Sequence, residues 1–183
     1  MRGIPIPADP QREQFTALPD IMKTIQLTQG LVALVDDADY DRVSTHRWYA
    51  LKSGNGVFYA LRTTLLDDKK TPLLMHRFIL GATDPSMKVD HKNHNGLDNQ
   101  RENLRLCTQT QNHGNRRKTQ GSSKYKGVTK RGSKWEAAIK HNGKSKYLGV
   151  FISEVDAARV YDAAARNHFG EFALCNFPMG ASA

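Results

Sequence analysis

Residues 90–112 constrain this chain more tightly than any other stretch. Asp90 and His91 stand side by side, a polar run follows through Asn99, and then come Asn103-Leu104-Arg105-Leu106-Cys107, Thr108 and Asn112. Val89 to His91 reads as a strand end and Asn103 to Cys107 as the returning strand. Thr108 suits the N-cap of a helix running to about Asn115. The predicted order is strand, long turn, strand, helix. Neighbours on a regular strand face opposite ways, so Asp90 and His91 can serve one site only where the strand ends and turns. The polar turn after them allows this.

The residue types suit one kind of chemistry. Phosphodiester hydrolysis needs an activated water, charge relief on the phosphoryl oxygens and stabilisation of the departing 3′ oxygen. The Asp90 carboxylate and the Asn112 amide oxygen are hard donors for a divalent cation. The His91 imidazole titrates near neutrality and can take a proton from water. Asn103 lies twelve residues after His91 and nine before Asn112. Singly, each has an ordinary alternative: a turn cap, a structural histidine, two polar surface residues. The joint spacing favours a site. His94 and His113 lie close by, outside the signature positions, and read as solvated or in contact with phosphate. The pairing of Asp with Asn and the scarcity of thiols favour magnesium or manganese over zinc.

Val89-Asp90-His91, Asp98-Asn99, Glu102-Asn103-Leu104-Arg105-Leu106, Thr108 and Gln111-Asn112 resemble the HNH nuclease motif of phage and intron-encoded endonucleases, in the variant with Asn at the third signature position. The resemblance covers about 40 residues, His76 to Asn115. It implies that Asp90 and Asn112 are metal ligands and His91 the general base, with Asn103 tying the turn and orienting the base. It implies Mg2+ as cofactor, Mn2+ as the alternative, and double-stranded DNA as substrate. His76-Arg77 match the start of the pattern, and support of the site is the role expected of them.

The charge distribution points the same way. The net charge is +9, and residues 116–183 hold thirteen basic and five acidic side chains, so nearly all the excess lies in the last third. That is the footprint of a polyanion-binding module. Residues 116–124, basic and Gly/Ser-rich, read as a linker. Strand-like runs follow at Tyr125–Thr129, Trp135–Lys140 and Tyr147–Phe151, with Asn142-Gly143 as a hairpin turn. Ser153 and Asp156 open a helix whose Val155, Ala158, Tyr161 and Ala165 share one face, and Gly170 suits its end.

Ser123-Lys124-Tyr125-Lys126-Gly127-Val128, Lys134-Trp135, Tyr147-Leu148-Gly149-Val150-Phe151, Tyr161-Asp162 and Asn176-Phe177-Pro178 resemble the plant APETALA2/ethylene-response-factor DNA-binding domain. That family lays a three-stranded sheet in the major groove and packs a helix behind it. By position, Lys126, Thr129, Arg131, Lys140 and Tyr147 are expected to face DNA, while Trp135 and Ile139 face the helix. The family often has Arg where this chain has Lys126, Thr129 and Lys140. Lys makes a point-charge contact without the bidentate guanine fork, so phosphate grip with modest base selectivity is expected.

The expected fold class is α+β, in four segments: a flexible leader over residues 1–21, a β-rich region over 22–75, the HNH nuclease over 76–117 and the DNA-binding unit over 118–180. Strands are expected at Ile25–Thr28, Leu31–Val35, Trp48–Leu51 and Val57–Arg62, and a strand running into a short helix over 73–80. Asp36, Asp37, Asp39 and Asp41 lack the spacing of a calcium loop and read as a solvated turn. No apolar run reaches membrane-spanning length and no signal-peptide pattern opens the chain. Cys107 and Cys175 have no pairing pattern and suit free thiols in the cytoplasm of a bacterial or phage-infected cell. Two other functions fit less of the sequence: a DNA-binding regulator using the nuclease fold as scaffold, separable by metal-dependent plasmid cleavage, and an RNA-binding structural protein, separable by competition between duplex DNA and RNA.

Overall fold

A computed structural model describes residues 22–118 and 120–178; the expected leader over residues 1–21 lies outside them. The chain is α+β, built from small antiparallel sheets. Strands β1 (Lys23–Gln26) and β2 (Val32–Val35) form a hairpin, followed by helix α1 (Asp37–Ser44). Strands β3 (Tyr49–Lys52), β4 (Phe58–Leu66) and β5 (Lys69–Leu74) form a meander in that order, running directly into α2 (Met75–Leu80). Then come β6 (Lys88–His91), β7 (Leu104–Cys107) and α3 (Gln109–Gly114). The last unit is β8 (Val128–Arg131), β9 (Lys134–His141) and β10 (Lys144–Phe151), packed on α4 (Glu154–Phe169). Among the described residues no helix is long and apolar enough to cross a membrane.

The N-terminal core is one apolar cluster that reaches from Ile25, Val35 and Val43 through Trp48 and Ala60 to Met75, Ile79 and Leu104. Leu104 belongs to β7, so the β6–β7 hairpin is seated on this core rather than tethered to it. The loop between β6 and β7 is stitched to β2: Leu34 N donates to Leu97 O and Asn99 N to Leu34 O, both at 2.8 Å.

The acidic cluster corrects one expectation. It is no solvated turn: Asp37 to Asp41 lie in α1, where early acidic residues suit the positive end of the helix dipole. Asp39 is buried and accepts from Arg42 and Arg101, and Asp36 accepts from Arg101 N at 2.7 Å. Burial alone raises the Asp39 carboxyl, but the hydrogen bonds from Arg101 and Arg42 outweigh it and hold the pKa below the ordinary 3.8. The cluster therefore clamps the loop between β6 and β7 to the N-terminal region.

The linker expectation is also corrected. Lys118 Nζ donates to Tyr125 O at 2.9 Å and to Val128 O at 3.0 Å, Ser123 is buried, and Ser122 Oγ accepts from Lys130 N. Composition suggested slack because Gly, Ser and Lys are as common in packed turns as in linkers.

In the C-terminal unit, Ala137, Ala157 and Ala158 are fully buried, and these small residues let α4 lie close to the sheet. Ile139, Tyr161, Ala165 and Phe169 extend the contact. Buried Asp162 accepts from the backbone N–H of Asn176 and Phe177, both at 2.8 Å, and so closes the unit at its C-terminal end. Strand β8 begins at Val128 rather than Tyr125 because Gly127 turns the backbone to φ 74°. A Cβ at that position would also overlap the Tyr161 ring. Gly127→Ala is therefore expected to cost about 2–4 kcal/mol, combining positive-φ strain with overpacking. Denaturant melts of the full chain check this, and a parent-like midpoint would sink it.

Candidate active site and nucleic-acid interface

Capping positions the site. Thr108 Oγ1 accepts from Gln111 N while Gln111 Oε1 accepts from Thr108 N, a reciprocal box that fixes where α3 starts. Asn112 then sits on the second half of that helix. Strands β6 and β7 pair Asp90 with Arg105 and His91 with Leu104. His91 is the last residue of β6. A cleft of about 600 Å³ opens at this strand end, lined by Asp90, His91 and Asn112 with Tyr59, His94, Asn115 and Arg116 among others.

Asp90 and His91 both line this cleft at the strand end, and each packs against a different set of neighbours. His91 turns toward the N-terminal core. Its ring centroid lies 5.0 Å from that of His76 and 5.8 Å from that of Tyr59. Among the described residues His91 Nε2 has no hydrogen-bond partner and is sealed from solvent, and so is His76 Nδ1. Burial pulls the His91 pKa below its ordinary value, while the neighbouring Asn99 amide and the Asp90 and Asp98 carboxylates pull it partly back. Burial, with the charges of His91 and Arg77, pushes His76 down to about 3. Both rings are thus neutral at neutral pH.

Asp90 turns toward α3 and the C-terminal unit. Its Oδ2 is 2.9 Å from Arg105 Nε and 2.8 Å from Arg105 Nη2. Asn115 Nδ2 donates to both carboxylate oxygens, at 3.0 and 2.9 Å, and to His91 O at 3.2 Å. His94 Nε2 donates to Asn115 O at 2.6 Å. His94 is therefore a tied residue at the cleft edge, which corrects its reading as a solvated or phosphate-contacting side chain. His113 is exposed.

Asn103 stands apart from the cleft. Its Nδ2 donates to Asp98 O at 2.8 Å and its Oδ1 accepts from Asn93 N at 3.0 Å, so both side-chain atoms brace the loop after His91. Asn115 and Arg105 were missed as site residues. Arg105 lies within residues 90–112 and Asn115 three residues beyond, and only the pairing register and the helix end reveal that they converge on one carboxylate.

The donor set at the strand end is one carboxylate and one amide oxygen. Among the described residues no group of three His, Cys, Asp or Glu side chains could hold a metal ion. Asp90 and Asn112 both line the cleft, and a carboxylate and an amide oxygen are hard donors of the kind that Mg2+ takes alongside phosphate and water oxygens.

The second surface is the outward face of the C-terminal sheet. Trp135, Ala137 and Ile139 point to α4. Register places Thr129 opposite Glu136, Ser145 opposite Lys140 and Tyr147 opposite Ala138 on the other face. Thr129, Arg131 and Lys140 are exposed, and Tyr147 is 62% exposed. Arg131 Nε donates to Glu136 Oε2 at 2.8 Å across that face. Lys126 is not on it. It precedes β8, is partly buried, and donates from Nζ to Gly114 O at 2.5 Å, with burial lowering its pKa to about 8. The structure therefore places Lys126 apart from the face that carries Thr129, Arg131, Lys140 and Tyr147.

Comparison with known proteins adds to this geometry. A family model described as HNH endonuclease matches residues 74–113. An uncharacterized HNH endonuclease of Acanthamoeba polyphaga mimivirus is 34% identical over 154 residues, covering 81% of this chain and 76% of that protein. APETALA2-like protein 2 of Oryza sativa subsp. indica is 47% identical over 60 residues, 31% of this chain and 14% of that protein. An AP2-like ethylene-responsive transcription factor of Arabidopsis thaliana is 46% identical over 61 residues, 32% of this chain and 13% of that protein. The likeness to the plant proteins is thus to a small part of each.

Proposed function

Since the chain belongs to the HNH endonuclease family, we propose that it hydrolyses phosphodiester bonds of double-stranded DNA, with His91 as general base and Asp90 and Asn112 as ligands of a divalent cation, Mg2+ before Mn2+. The observation that carries this reading is the convergence of Asp90, His91 and Asn112 on one cleft. When bound, the cation supplies charge relief on the phosphoryl oxygens and stabilises the departing 3′ oxygen. Asp90 and Asn112 hold it with oxygen atoms. The neutral His91 ring takes the proton of the attacking water. Nε2 is sealed in the protein, so Nδ1 is the nitrogen assigned to that transfer. Tyr59 and His76 keep water off the other side of the ring and hold its plane. Asn103 braces the loop and acts on the base only through it. Localisation in the cytoplasm of a bacterial or phage-infected cell belongs to the same reading, as does a target on mobile or phage DNA.

The C-terminal sheet is the anchor in this reading, with Thr129, Arg131, Lys140 and Tyr147 toward the duplex. Each neutralised phosphate contributes a slope of about −0.9 in log affinity against log salt. Replacing Arg131 and Lys140 together by Ala is expected to make the slope shallower by about 1–2. Lys126→Ala should leave it unchanged, because that ammonium is spent on Gly114 O. Affinity for a duplex across a salt series reads both. A slope that drops for Lys126→Ala but not for the double variant would remove this face from the interface. The enzymatic reading itself is tested by incubating the folded chain, in excess, with supercoiled plasmid and magnesium. Nicked or linear product is expected, and plasmid left intact would sink the reading.

A further inference from the structure

Arg105 stands opposite Asp90 in the β6–β7 pair. Its guanidinium uses three nitrogens at once. Nε and Nη2 hold Asp90 Oδ2, and Nη1 donates to Glu171 O at 2.9 Å. The Phe172 ring lies against it, 4.1 Å from Cζ to the ring centroid. Both members of the ion pair are largely buried, with side chains 13% and 7% exposed. Glu171 and Phe172 follow α4, so the residues that fix Arg105 come from the C-terminal unit and not from the nuclease hairpin.

The same unit grips the helix that carries Asn112. Gly114 ends α3, and its carbonyl accepts from Lys126 Nζ and from Leu174 N, the latter at 3.1 Å. The contact with α4 is close enough that a Cβ on Gly114 would lie 2.6 Å from the Phe169 ring. Both elements that present the metal ligands are thus held from the C-terminal side.

We propose that the C-terminal unit completes the metal-binding pair of the nuclease site, and that Arg105 is the positioning residue that carries its hold to Asp90. This rests on the reading of Asp90 as a ligand. The planar guanidinium occupies Oδ2, while among the described residues Oδ1 accepts from Asn115 Nδ2 alone. Oδ1 therefore keeps spare lone-pair capacity, and the fork fixes the direction in which it points. Lys at 105 keeps the charge but cannot span Asp90 and Glu171 O with one rigid plane. The unit that grips DNA is accordingly part of the cutting site, and the two activities cannot be detached by shortening the chain.

The test uses the full chain and Mn2+ as probe, with Mn2+ affinity measured by calorimetry without DNA, alongside duplex affinity and thermal midpoint. The variants are Asp90→Asn, Arg105→Lys, Phe172→Ala and Phe172→Tyr. Partners that orient a ligand typically govern about 10–100-fold in metal affinity. Arg105→Lys and Phe172→Ala should each weaken Mn2+ binding about tenfold or more at unchanged duplex affinity, and Phe172→Tyr, which keeps the ring, should bind like the parent. Parent-like Mn2+ binding by Asp90→Asn overturns the ligand reading and this proposal with it. Loss in Asp90→Asn with parent-like binding in Arg105→Lys and Phe172→Ala overturns this proposal alone. If Phe172→Ala does not fold, Arg105→Lys decides, since it leaves the Phe172 ring in place.

Discussion

Plasmid cleavage by the His91→Ala variant is expected to fall by roughly 10²–10⁴-fold, the usual consequence of removing a general base. Duplex affinity should hold, because the basic sheet is made by other residues. The neutral state of the ring is already secured by burial, so the loss is of the proton acceptor and not of a charge that attracts DNA. His91 also packs against His76 and Tyr59, and its removal opens a small gap in that cluster. Thermal melts of the same preparation separate the two effects. A folded His91→Ala chain that cuts at the parent rate would take His91 out of the mechanism.

Substitution of Asp90 is expected to be at least as damaging. A cation that stabilises the transition state by several kcal/mol, say ~4, accounts for about 10³-fold in rate. Asp90→Ala removes that ligand, but it also leaves the Arg105 guanidinium buried without its partner, which costs stability on its own account. Asp90→Asn is the cleaner variant, because an amide oxygen still accepts from Arg105 while the charge is gone. Cleavage by Asp90→Asn should drop to near background with the fold intact, and Asn112→Ala should follow it. Rates measured at saturating magnesium read both, and a rate within a few-fold of the parent for either would contradict its role as ligand.

The strand–strand–helix framework of the candidate site was legible in the sequence because its elements are local. The N-cap at Thr108, the return strand to Cys107 and the helix-facing Trp135 and Ile139 all depend on neighbours a few residues away. The acidic run at Asp36–Asp41 misled because its meaning depends on Arg101, some sixty residues later. Lys126 misled for a related reason. A Lys beside strand residues is ordinarily solvated, and only the docking of α3 reveals that Gly114 O claims it. Arg105 and Asn115 were invisible as site residues because their partner is a single buried carboxylate, and no periodicity signals such convergence. The supposed linker failed likewise, since Lys118 finds its acceptors across a turn that composition does not encode.

The proposed reaction cuts DNA by chemistry that needs a divalent cation held beside His91. One measurement addresses it most directly: conversion of supercoiled plasmid by a single preparation of the parent chain, in magnesium, after EDTA, and after magnesium is restored, with His91→Ala run alongside. The expected result is cutting in magnesium, arrest in EDTA, recovery on re-addition, and little product from the variant throughout. Cutting at full rate in EDTA, or equal product from parent and His91→Ala, would contradict the account.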